Sequence, residues 1–146
     1  MQSCQLCNAD VYITLGVPNE PIRDSNHSIP NMAFNDFERA VNQKALSWFM
    51  EHRRPPEHIR LQLDIGYAVT GQTVDIFEIR PDWKDKTTIR HSPIARVKFV
   101  RTEERWRLYW MRGNLKWYAY EPDHLHSTLQ SALKAVNADA LCCFFG

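Results

Sequence analysis

At 146 residues with a formal net charge of +1, the chain suits one domain, large enough to bury most of its unfolded surface without metal or disulfide support. Apolar content is ordinary for a globular protein, and no apolar run approaches the roughly 20 residues that span a bilayer. Composition therefore excludes a membrane helix and a disulfide scaffold: the four cysteines, Cys4, Cys7, Cys142 and Cys143, sit only at the two ends, and the adjacent pair suits free thiols. A cytoplasmic setting is expected, and no leader is read at the N-terminus, which lacks a basic region followed by an apolar one.

Residues 1–31 differ from the rest. They hold one of seventeen aromatics (Tyr12), three prolines and no sustained period, so they are expected to be a flexible extension, with Met32 as the natural start. Only Val11-Tyr12-Ile13-Thr14-Leu15 has the composition of a short edge strand. Helical signals begin at Asn35, which with Glu38 makes a capping box ahead of Phe37, Val41, Ala45, Trp48 and Phe49. This stripe is expected to face the core, and Arg53-Arg54-Pro55-Pro56 ends the helix.

Ile59, Leu61, Leu63, Ile65, Tyr67 and Val69 alternate with polar or small residues, which predicts a half-buried strand. Thr70-Gly71-Gln72 is a turn and Thr73 to Arg80 the returning strand; Pro81 to Ser92 reads as a polar connection. Three further strands follow, centred on Ala95 to Val100, Arg105 to Met111 and Leu115 to Tyr120, joined at Thr102-Glu103-Glu104 and Arg112-Gly113-Asn114. Trp106, Trp110 and Trp117 are expected on the side facing the helices. Asp123 is the expected N-cap of a second helix carrying Leu125, Leu129, Ala132, Leu133 and Val136, and the apolar tail Leu141 to Gly146 is expected to pack on the domain. The fold class is α+β: a five-stranded antiparallel meander with two helices packed on one face, in the order α-β-β-β-β-β-α.

From Met32 onward the motifs MAFNDFERA, RRPP, FEIRPDW (77–83), LYW, LKWYAYEP and the closing CFFG resemble the bacterial domain-of-unknown-function 3024 family, over residues 32–146. The resemblance implies a bacterial single-domain protein and brings no assigned activity or catalytic residues.

Charge is uneven: residues 93–120 hold seven Lys/Arg against Glu103 and Glu104. Alternation gathers Arg96, Lys98, Arg107, Tyr109, Lys116, Tyr118 and Tyr120 on one sheet face. Such a face can be plain surface, a protein or homodimer interface, or a platform for single-stranded nucleic acid, where each stacked base contributes roughly 1–3 kcal/mol. Glu78, Arg80 and Trp83 form a second candidate, a small polar pocket. Cys4-Gln5-Leu6-Cys7 is half a zinc-site spacing without its second half, so neither metal nor cofactor is expected. His124 and His126 read as polar surface at a helix start. No nucleophile motif or phosphate-cradling glycine loop occurs, which favours binding over catalysis.

Overall fold

A computed structural model describes residues 33–145. The expectations for residues 1–31, the Met32 start and the Cys4/Cys7 pair lie outside the described residues.

Helix α1 (Asp36–Arg53) starts as its sequence requires. Glu38 N–H donates to Asn35 Oδ1 at 2.8 Å and Asn35 N–H to Glu38 Oε2 at 2.9 Å. The buried stripe is rotated from the expected one. Ala45, Leu46 and Phe49 are buried, whereas Phe37 is 79% exposed and Val41 is also exposed. Pro55 and Pro56 stop the helix, and a 3₁₀ turn (Glu57–Ile59) follows.

The sheet runs β1 (Asp64–Thr70), β2 (Thr73–Pro81), β3 (Ile89–Val100), β4 (Arg105–Met111) and β5 (Trp117–Ala119), all antiparallel neighbours. A sixth strand, β6 (Leu125–His126), pairs with the start of β4 beyond β5. Helix α2 (Leu129–Ala138) closes the order. One core joins α1 and α2 to Ile65, Tyr67, Val74, Ile76, Ala95, Val97, Trp106 and Leu108, so both helices lie on the same face of the sheet. The α+β meander with two helices on one face stands.

Several boundaries differ. The first strand opens at Asp64 rather than Ile59; Leu63 N–H instead turns back to the Ile59 carbonyl, and Leu61 is 88% exposed. The connection shrinks to Asp82–Thr88, since residues 89–92 pair with 78–81. Buried Asp82 closes this loop, its Oδ1 accepting Lys84 N–H at 2.7 Å while Oδ2 pairs with Arg90. Between β2 and β3 the register shifts: Ile76 pairs with Ala95 and Phe77 with Pro93, leaving Ile94 as the extra residue. Proline has no N–H for a ladder, so a bulge is where a sheet interior tolerates it.

Helix α2 begins at Thr128, whose Oγ1 accepts Ser131 N–H, and not at Asp123. Residues 125–126 are strand, which exposes Leu125 and buries His126. His126 is therefore no surface histidine: Nδ1 meets Ser131 Oγ at 3.0 Å and Nε2 meets the Asp123 carbonyl at 2.8 Å. The tail packs as expected. Asp139, in the left-handed region (φ 42°), accepts Phe144 N–H and Phe145 N–H, which holds Phe144 against Tyr120 and Phe145 under Arg53.

Candidate functional site: the open face of the sheet

Strand side chains directly opposite one another point the same way, so the register fixes which residues share a face. Ala95, Val97, Trp106 and Leu108 are in the core, which puts Arg96, Lys98, Arg107, Tyr109 and Met111 on the side away from the helices. Met111 pairs with Trp117 and Tyr109 with Ala119, so Trp117 and Ala119 join that open side. Trp110 pairs with Tyr118, and Tyr118 and Tyr120 therefore point to the helix side.

The expected grouping thus changes. Arg96, Lys98, Arg107 and Tyr109 share the open face, as alternation indicates. Tyr120 is 3% exposed and packs at a tilt against Phe144 in the core, while Tyr118 sits beside Trp110 with the Arg112 guanidinium over both rings, at 4.2 Å and 4.9 Å. Lys116 belongs to the β4–β5 loop and is exposed. Trp106 is buried and Trp110 packs on the core, as expected; Trp117 faces the other way. The pairing of Met111 with Trp117 across the loop 112–116 fixes this, whereas apolar composition alone groups Trp117 with Trp110.

The open face has three rows running across the strands. One is apolar on β1 to β3, Gly66, Phe77 and Pro93, and Met111 and Trp117 form a separate apolar pair on β4 and β5. The central row holds Ala68, Asp75, Arg96, Tyr109 and Ala119. The third, Thr70, Thr73, Lys98 and Arg107, carries the free charge. Arg96 donates to both oxygens of Asp75, at 2.6 and 3.0 Å, and lies 4.5 Å over the Trp117 ring. Arg107 is held in the same manner by both oxygens of Glu103. Two cations are thus paired inside the chain, and one aromatic face is already covered. Lys98 and Arg105 are exposed and have no ion-pair partner among the described residues.

The second candidate groups Glu78, Arg80 and Trp83 near the end of β2. Arg80 and Glu78 form an ion pair on the β2 surface, and Trp83 projects from the loop, 73% exposed, with Lys84 over its ring at 4.8 Å. A cavity of about 160 Å³ lies elsewhere, between the start of α1 and the start of α2. The packed rings of Phe34, Phe99 and Trp106 line it, with exposed Phe37 and Val41. Asn42 borders it, its amide nitrogen buried with no hydrogen-bond partner among the described residues. No periodicity signals this cavity, because Phe37 and Val41 read from sequence as core.

Among the described residues no cluster of three or more His, Cys, Asp or Glu side chains is arranged to hold a metal ion, and no helix is long and apolar enough to cross a membrane. Cys142 is exposed, and burial raises the Cys143 thiol pKa above its ordinary value.

Fold and face together define an α+β unit with helices on one side of its sheet and, among the described residues, none on the other. A family model described as a domain of unknown function, DUF3024, matches residues 34–146, and the chain belongs to that family. No curated protein and no solved structure matches the chain.

Proposed function

We propose that this is a non-catalytic, cytoplasmic bacterial binding domain that holds a protein partner on the open face of its sheet. One observation carries the reading: the apolar pair Met111 and Trp117 shares a sheet face with cations already neutralised by Asp75 and Glu103. Methionine, tryptophan, tyrosine and arginine are enriched where proteins meet, and paired cations offer a phosphate backbone little charge. Arg96 also occupies the Trp117 ring face that a nucleobase would use.

A photo-crosslinking residue at Met111, introduced in cells, is expected to give a discrete protein adduct that the same residue at exposed Gln62 does not. The purified partner should then bind the domain, and Trp117→Glu should weaken binding at least about tenfold. The second reading is a single-stranded nucleic-acid module, which exposed Lys98 and Arg105 favour. Salt-sensitive oligonucleotide retention, lost on joint replacement of Lys98, Arg105 and Tyr109, with nucleic acid at Met111, would establish it in place of the first.

A further inference from the structure

The connections at the two ends of the sheet differ in kind. Register places connections 54–63, 82–88 and 112–116 at one end: Asp64 pairs with Ile79, Pro81 with Ile89 and Ala95 with Trp110. Connections 71–72, 101–104 and 120–124 lie at the other. The first set holds six Lys or Arg against three Asp or Glu, whereas the second holds Arg101 against Glu103, Glu104, Glu121 and Asp123. The basic end also exposes apolar side chains, each next to a cation in sequence. Leu61 follows Arg60, Trp83 precedes Lys84 and Leu115 precedes Lys116. The acidic set of connections exposes no large apolar residue.

Two of these connections are ordered so that the apolar group stands out. Asp82 N–H donates to the Thr88 carbonyl at 2.8 Å, and the Asp85 carboxylate accepts the Thr87 and Thr88 hydroxyls at 2.6 and 2.7 Å. Trp83 projects from this polar loop with Lys84 Nζ 4.8 Å over its ring. Leu115 is 78% exposed and sits at φ 60°, in a region that residues with a side chain rarely adopt, held by its N–H to the Arg112 carbonyl at 2.8 Å. Neither its strain nor its exposure serves the core. Asp64 and Asp82 are taken by Arg54 and Arg90, whereas Lys84, Lys86, Arg112, Lys116 and Glu57 have no ion-pair partner among the described residues.

We propose that this end of the domain docks on an anionic lipid surface. Trp83 and Leu115 enter the headgroup region, and Lys84, Lys86, Arg112 and Lys116 meet lipid phosphates. Tryptophan favours the membrane interface, and a lysine beside it lays its carbon stem along apolar surface while its ammonium reaches a phosphate. The exposed apolar groups come one to a connection, a spread that a fluid surface accepts without a match of shape. The opposite charge of the two ends turns the basic one toward an anionic surface. Such contact rests on the bilayer and needs no spanning helix. It uses the end of the sheet and not its open face, so it stands whether or not a protein binds there.

Flotation of the full chain with vesicles tests this. Vesicles of phosphatidylglycerol and phosphatidylcholine in equal parts should carry the protein, phosphatidylcholine alone should not, and added salt should weaken the binding. Trp83→Ser with Leu115→Ser should weaken it at least about tenfold, and so should Lys84→Glu with Lys86→Glu. The circular dichroism spectrum should not change, because all four side chains are exposed. Lys98→Glu, the same charge change on the open face, should leave binding unaltered. If the serine variant does not fold, the glutamate pair decides. No flotation at low salt overturns the proposal. So does flotation that Lys98→Glu weakens as much as the Lys84 and Lys86 changes, or that the serine variant leaves intact, since either reduces the contact to diffuse charge. A photo-crosslinking residue at Trp83 that gives a protein adduct in cells in place of a lipid one would assign this end to a protein instead.

Discussion

Arg54 grips Asp64 with both arms of its guanidinium, Nε to Oδ1 at 2.8 Å and Nη2 to Oδ2 at 2.7 Å, and so ties the end of α1 to the first residue of β1. The same Asp64 oxygen caps Ile65 N–H, so one carboxylate fixes where the helix stops and where the sheet begins. Both side chains are largely shielded, and Arg54 holds the Asp64 pKa below its ordinary value, chiefly through the hydrogen bonds.

Arg54→Ala is expected to cost about 1–3 kcal/mol in urea unfolding at neutral pH, the range for a charge-assisted hydrogen bond lost from a shielded site. The sign with pH follows from the lowered pKa. The pair's contribution is complete above the unfolded carboxyl value of about 4 and is lost as pH falls through the folded value. The gap between the unaltered chain and the variant should therefore close in acid. A gap that holds constant into acid would refute the assignment.

Gly66 lies beneath the Phe77 ring. A Cβ there would come within 2.8 Å of Phe77 Cε2 and 3.0 Å of Ile79 Cδ1, closer than carbon atoms pack, and the buried ring has little room to retreat. Gly66→Ala should destabilise by about 1–3 kcal/mol, and Phe77→Leu in the same chain should recover part of the loss. Additive losses in thermal unfolding would show that the two do not touch.

The register of the β4–β5 hairpin predicts unequal tryptophans. Trp106 is 5% exposed, stacks on Phe34 at 5.5 Å and packs at a tilt against Phe99 at 5.1 Å, so Trp106→Ala should cost about 3–5 kcal/mol. Trp117, on the open face beneath Arg96, should cost no more than about 1.5 kcal/mol. Equal losses would return Trp117 to the core side.

That pair also marks where sequence reasoning succeeds and stops. Asn35 and Glu38 announce α1 because a capping box is local, complete within four residues. Alternation orders β4 correctly because Trp106 and Leu108 contrast with Arg105 and Arg107. It fails for β5, where both sides are aromatic: Trp117 and Tyr118 are interchangeable by composition, and only the pairing with β4, Met111 opposite Trp117, decides between them. Leu61 and Leu125 fit an apolar stripe yet are exposed, because prolines 55 and 56 and the pairing of β6 intervene. The ion pairs that neutralise the open face are equally hidden in sequence. Asp75 and Arg96 are partners through a register that no spacing rule supplies.

His91 provides the last test. Its ring stacks on Phe77, with centroids 4.9 Å apart and planes at 15°, and burial lowers its pKa below the ordinary histidine value. The neutral ring is the form the fold prefers. Its contribution to stability is thus complete above the unfolded value of about 6.5 and declines as pH falls below it. The proton resonances of His91 should titrate with a midpoint under 6.5, and His91→Gln should remove part of the stability lost on acidification from neutral pH. A midpoint at or above that of a free histidine would mean the ring stands in water, and with it the Phe77 stack that covers Gly66 would have to be redrawn.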